Sequence, residues 1–185
     1  MEPKIIESKH EYIDKIDNTV LEGFFCLPEP FSNFTKPAVL ICHAFGGLGN
    51  FEEEKCRELA RLGFVSFAID LYGKGKRGQT IEENMSLLKP FLEDRTSLLR
   101  RRLLYGLETL KLESSVDKEK FMGIMAEMRA RKSDWQFIIY GNAKHGFTDK
   151  RLEGSTREGV GYNKEADNRS WSAMLALFKE KFGIP

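Results

Sequence analysis

Residues 37–42, Pro-Ala-Val-Leu-Ile-Cys, and residues 64–69, Phe-Val-Ser-Phe-Ala-Ile, are continuous apolar runs without alternation. Each is too short for a helix. A strand that is apolar at successive positions needs cover on both faces, which is the habit of parallel sheets. Between the runs, residues 51–62 follow Asn50 as N-cap, carry acids first and bases later, and stop at Gly63. That order complements a helix dipole. Strand, helix and strand within about thirty residues make a βαβ unit with a right-handed crossover. The expected fold class is therefore α/β, a three-layer, mostly parallel sheet with helices on both faces.

The flanking sequence adds elements to that unit. Residues 12–16 and 20–26 lie either side of Asp17-Asn18, a dipeptide that tolerates tight turns, and predict an N-terminal hairpin. Pro28, Pro30 and Pro37 then break the chain. Thr80-Ile-Glu-Glu83 has capping-box form, and Met85, Leu88, Phe91 and Leu92 recur at helical spacing until Asp94, with Pro90 expected to kink or split the helix. A second helical run covers 97–112, with Leu99, Leu103, Leu107 and Leu110 inward. Residues 116–120 read as a polar connector and 121–131 as a helix with Met122, Met125 and Met128 on one stripe. The last strand is expected over 135–140, followed by a glycine turn and His145. A terminal helix over 165–182 packs Trp171, Met174, Leu175 and Phe178.

Composition excludes several classes of function. A chain of 185 residues suits a single domain, 1–185. Its 29 Lys and Arg against 28 Asp and Glu leave no basic face for a nucleic acid. Arg100-Arg101-Arg102, set between leucine pairs at helical spacing, reads as a solvated helix face. Cys26, Cys42 and Cys56 are odd in number and form no C-x-x-C pair, which predicts a reducing, cytoplasmic setting. No apolar run approaches the roughly 18 residues of a membrane span, and residues 1–12 lack a signal-peptide core. His10, His43 and His145 show no ligand spacing, so no metal is expected. Gly46-Gly47-Leu48-Gly49 fits neither a dinucleotide nor a P-loop pattern, so no organic cofactor is expected either.

At residues 37–75, PAVLICHAFGG…RELARLGFVSFAIDLYGKG, the chain resembles the first βαβ of the dienelactone hydrolase family, a branch of the α/β-hydrolases. Its C-terminal part, MAEMRARKSDWQFIIYGNAKHGFTD followed by GVGYNKEADNRSWSAMLALF, is similar to the end of that family. The resemblance runs from about residue 19 onward. It implies a hydrolase of carboxylic esters or lactones that uses a nucleophile, an acid and a histidine in that order. His145 matches the histidine, which takes the nucleophile's proton as general base and returns it to the leaving group. Ala44 matches the residue whose backbone N–H forms half of the oxyanion hole. The partner implied is a small ester or lactone.

The chain departs from the family at the centre. Neither G-x-S-x-G nor G-x-C-x-G, the nucleophile-elbow patterns, occurs anywhere in it. Blocks 19–120 and 121–185 read as flanking an internal deletion that removed the nucleophile and the catalytic aspartate. The family's tuning glutamate is replaced by His43, and its carboxylate-gripping arginine by Asp149. Cys42, beside His43 at the carboxyl end of a strand, is open to two readings, a substitute nucleophile or an inert buried thiol. Asp70 closes the neighbouring strand and reads as a loop cap. With the central strands gone, residues 136–140 are expected to pair directly with 39–42, and a homodimer is expected to cover the exposed edges. A non-catalytic remnant that binds without turnover is the alternative reading.

Overall fold

The computed structural model describes residues 3–29, 35–122, 138 and 140–183, which fall in two compact units, Met1–Gly123 and Ile124–Pro185. The first holds the sheet. Strands β1 (Ile5–Asp14) and β2 (Thr19–Pro28) form the hairpin, in unbroken register from Asp14 opposite Thr19 to Ile5 opposite Pro28. Two aspartates shape its turn. Asp14 accepts the Ile16 N–H at 3.0 Å, and Asp17 accepts the Thr19 N–H at 2.9 Å. Asn18 takes φ 57°, a left-handed conformation that asparagine tolerates. The strands run longer than the apolar pattern suggests, because β1 continues as an edge with exposed Glu7, Lys9 and Glu11. Charge on an edge discourages pairing with another chain.

The βαβ unit forms as the sequence requires, from β3 (Lys36–Cys42) through α1 (Asn50–Arg61) to β4 (Val65–Ile69). The two strands pair in parallel, Ala38 with Val65 to Cys42 with Ile69. The helix cap is Gly49, one residue earlier than the predicted Asn50. Alternation along β4 divides the core between two faces. Val65, Phe67 and Ile69 join Phe25 and Leu27 on one side, while Ala68 joins Phe24 and Cys26 on the other. The second face is covered by Cys56 and Ala60 of α1, and the first by α2 (Ile81–Glu93) and α3 (Arg100–Leu112) through Phe91 and Leu110. Helices thus lie on both faces of the sheet. Each fully buried Leu, Ile or Phe here contributes roughly 1.5–3 kcal/mol. The approach of α3 to the sheet depends on Gly106, where a Cβ would come 2.6 Å from Ile69 Cγ2.

A fifth strand corrects the reading of the centre. Residues 116–120 are not a connector but most of β5 (Val116–Met122), which pairs in parallel with β3, bringing Ala38 opposite Phe121 and Val39 opposite Met122. The sheet order is β1-β2-β4-β3-β5. Both sides of β3 are therefore taken, and the expected direct pairing of 136–140 with 39–42 is replaced by β5 on that edge. Phe121 and Met122 are strand, not the start of a helix. The rest of the predicted helix over 121–131, and residues 135–137 and 139 of the predicted last strand, lie outside the described residues. Among the described residues the sheet has two antiparallel and two parallel pairings, with helices on both faces as the α/β class requires.

The capping box at α2 forms as predicted, Thr80 Oγ1 accepting the Glu83 N–H at 3.2 Å and Glu83 Oε2 accepting the Thr80 N–H at 3.3 Å. Pro90 sits inside α2 on an exposed position, and the break comes at Asp94. The Asp94 side chain accepts the Ser97 N–H at 2.9 Å and opens a π-helical turn, Arg95–Leu99, that runs into α3.

The basic run needs a second correction, since only Arg100 is solvated. Arg102 is 4% exposed and Arg101 half-buried. Both Nε atoms donate to Asp14 Oδ2, and both Nη2 atoms donate to Asp17 Oδ2 at 2.8 Å. Arg102 Nη1 also donates to the Leu71 carbonyl at 2.9 Å. Burial pushes the Asp14 and Asp17 carboxyls up, but the hydrogen bonds they accept and the nearby guanidinium charge outweigh it, holding both below the usual carboxylate range. The hairpin turn is thereby clamped onto α3.

The second unit contains a turn-rich stretch, a short 3-10 helix (Lys150–Leu152) and α4 (Lys164–Phe182). Asn163 caps α4, accepting the Ala166 N–H at 2.9 Å, and Gly183 ends it at φ 64°. Phe178 is buried, while Trp171, Met174 and Leu175 are half-buried.

Candidate functional site

Parallel pairing brings the carboxyl ends of β3, β4 and β5 to one end of the sheet, where open α/β sheets place their ligands. The groups gathered there in the first unit are engaged with one another. His43 Nε2 accepts the Leu71 N–H at 3.2 Å, so the proton lies on Nδ1, which donates to the Ala44 carbonyl at 2.7 Å. Burial lowers its pKa below the ordinary histidine value, and its ring meets Tyr72 edge-on at 4.5 Å. It is a neutral brace between two loops.

Cys42 packs against the core cluster that contains Ile69, and burial pushes its thiol up to about 11. A thiol held there is almost wholly protonated at neutral pH, the reverse of an activated nucleophile. The backbone N–H of Ala44 donates to Glu52 Oε1 at 3.0 Å, and the other carboxylate oxygen accepts the Gly49 N–H at 3.0 Å. Glu52 is buried in the first turn of α1 and closes the loop 43–49 like a clasp. The donor that the family resemblance gives to the oxyanion hole is therefore occupied from within. Asp70 is the predicted loop cap, fully buried, accepting the N–H groups of Tyr72 at 2.9 Å, Gly73 at 3.0 Å and Glu22 at 3.2 Å. Tyr12 closes the same corner, its hydroxyl donating to the Asp70 carbonyl at 2.7 Å and accepting the Asp70 N–H at 3.0 Å.

Glu52 and Tyr12 were not singled out by the sequence. An acid at the third position of a helix signals a cap, but not the distant N–H it also binds.

The second unit presents His145 differently. The residue is exposed and held through its backbone, its N–H donating to the Gly159 carbonyl at 2.9 Å and its carbonyl accepting the Gly161 N–H at 3.2 Å. Among the described residues its ring makes no hydrogen bond. Gly146 follows at φ 74° and starts the turn that ends at Asp149. Asp149 forms a bidentate pair with Arg151, 2.9 Å from Nε and 2.7 Å from Nη2, where the family resemblance places an arginine. Among the described residues no group of three histidine, cysteine or acidic side chains is arranged to hold a metal ion, and no helix is long and apolar enough to cross a membrane.

Comparison with known proteins adds what geometry alone does not. Solved structures match nearly the whole chain. m3DLH has a TM-score of 0.83 at 22% identity, covering 96% of this chain and 99% of the other. A dienelactone hydrolase-like promiscuous phosphotriesterase from metagenomic libraries gives 0.81 at 24%, covering 96% and 98%. A dienelactone hydrolase of Klebsiella pneumoniae, described as putative, gives 0.66 at 14%, covering 95% and 98%. At these identities the likeness shows the fold, that of the α/β-hydrolases. The sequence model of the dienelactone hydrolase family matches residues 21–125 and 114–182, and the chain belongs to that family. An uncharacterised protein of Caenorhabditis elegans is 52% identical over 56 residues, which are 30% of this chain. That match spans 35% of the worm protein's length.

Proposed function

We propose that this chain is a dienelactone hydrolase-like protein that binds a small ester or lactone without forming an acyl-enzyme. The observation that supports this best is β5. It lies beside β3, the place from which an α/β-hydrolase strand leads into the nucleophile elbow. In sequence it is followed by Gly123-Ile124-Met125-Ala126-Glu127. The first glycine of the elbow pattern is present, but methionine stands at the nucleophile's place and glutamate at the last glycine's. A thioether has no proton to give to a histidine and leaves no stable acyl adduct. Glu52 on the Ala44 N–H and the protonated Cys42 thiol point the same way.

The family match in two stretches that share residues 114–125 supports an internal deletion between the nucleophile strand and the histidine segment. A reducing, cytoplasmic setting fits the three free thiols.

The test is the intact mass of the purified protein before and after incubation with a fluorophosphonate or an activated ester. An unchanged mass, with ester hydrolysis no faster than free imidazole, is expected. A stoichiometric adduct would overturn the reading.

One observation favours a second reading, hydrolysis of carboxylic esters or lactones. His145 is exposed, and its ring is unengaged among the described residues, as a general base must be. That reading requires an adduct that disappears in His145→Ala and maps to a residue other than Met125.

A further inference from the structure

The second unit contains a cavity of about 260 Å³ that neither reading above uses, lined chiefly by Asn142, Lys144, Leu152, Ser155, Val160 and Asn163. Its chemistry is one-sided. Among the described residues Lys144 is its one charged lining residue and no carboxylate lines it. Asp149 is matched by Arg151 and Asp167 by the Tyr162 hydroxyl at 3.1 Å, while Glu153 and Glu165 lie close enough to add to the rise that burial and Asp167 give the pKa of the Tyr162 hydroxyl. Two of the polar side chains already accept a local backbone N–H and keep their donors free of it. Asn163 Oδ1 takes the Ala166 N–H, which leaves its NH₂ group as donor, and Ser155 Oγ takes the Arg157 N–H at 3.3 Å, which leaves its hydroxyl proton. Leu152 and Val160 supply an apolar wall. The stem of Lys144 lies over Gly161, where an added Cβ would sit 3.5 Å from its Cδ, an ordinary van der Waals contact.

We infer that this cavity binds a small organic anion, its oxyanion head on Lys144, Ser155 and Asn163 and a short carbon tail on Leu152 and Val160. The volume is just below the usual range for small-molecule sites, which limits the ligand to a few carbon atoms beyond its head. A lysine is a point charge without the planar fork of arginine, so the head is a carboxylate or a phosphate, and the probes decide which.

The test is a titration of the isotopically labelled full chain with butyrate, butyramide and inorganic phosphate, followed by backbone amide shifts. Butyrate or phosphate is expected to shift Gly154, Gly161 and Asn163 with saturation at millimolar concentration, and added potassium chloride is expected to weaken the effect. Saturation by butyrate assigns a carboxylate head, and saturation by phosphate assigns a phosphate. Butyramide, which keeps the shape and loses the charge, should bind at least ~10-fold more weakly than butyrate. Lys144→Met should weaken the anion by a similar factor with the remaining shifts unchanged, whereas Lys144→Arg should retain it. No saturation by either anion, butyramide binding as tightly as the anion that saturates, or unaltered binding in Lys144→Met would overturn the assignment. If Lys144→Met fails to fold, the butyramide comparison and the salt dependence on the natural chain decide alone.

Discussion

The sheet end of the first unit and the histidine segment of the second are built on opposite plans. At the sheet end nearly every polar group has an internal partner. Asp70 holds three backbone N–H groups, Glu52 holds two, and His43 uses both ring nitrogens. In the histidine segment the backbone is bonded while, among the described residues, the His145 ring and the Lys144 ammonium have no hydrogen-bond partner. A buried polar group without a partner is costly, and among the described residues Asn84 Oδ1 is the buried side-chain atom left without one. The lesson is that the position of a residue at a ligand-binding end does not make it available. Availability resides in the second unit.

Substitutions should separate the two plans, and the largest effect is expected where engagement is deepest. Arg102→Met leaves the fully buried Asp14 with Arg101 alone and opens the Leu71 carbonyl. Removing one partner of a buried ion pair typically costs 3–5 kcal/mol, and the surviving arginine places this case at about 3 kcal/mol, read from the urea midpoint.

Acid comes next. Asp14 and Asp17 have carboxyl pKa values lowered in the folded chain, so their stabilisation is complete above the ordinary carboxylate value and is lost as the pH falls through the folded values. The urea midpoint should therefore drop between pH 5 and pH 2, and less steeply once both aspartates are changed to asparagine. A wild-type midpoint that is flat with pH would show that the clamp carries no charge-dependent stability.

Glu52→Gln should cost about 1–2 kcal/mol, because an amide can accept only one of the two N–H groups now shared by the carboxylate. A rise in ester turnover in this variant would mean that the clasp, and not the missing nucleophile, suppresses activity. The smallest effect belongs to His145→Ala. Its exposed ring has no bond among the described residues, and its backbone bonds survive the change, so stability should stay within about 0.5 kcal/mol. A loss of more than about 1 kcal/mol would reveal a structural role and remove the contrast between the units.

Much of the fold was legible because it is written locally. The apolar runs at 37–42 and 64–69, the acids opening α1, the Thr80–Glu83 box and the Asp17-Asn18 turn each state their structure within a few residues. β5 was illegible for the complementary reason. Val-Asp-Lys-Glu-Lys-Phe-Met has the composition of a connector, and it becomes a strand by pairing with β3, some eighty residues away. Arg102 hid in the same way, since helical spacing placed it beside leucines but could not show an aspartate 88 residues earlier in the chain. Asp70 was readable as a loop cap because two of its three partners, Tyr72 and Gly73, lie two and three residues further along the chain. The engagement of Ala44 by Glu52 was not, although the two lie only eight residues apart.

That carboxylate has a consequence for motion. One side chain holds both the loop after β3 and the first turn of α1, so the loop cannot swing open while the helix stays capped. Access to the sheet end is thereby coupled to local unfolding, and the amide protons of Ala44 and Gly49 should exchange with solvent together, at one rate that Glu52→Gln raises for both.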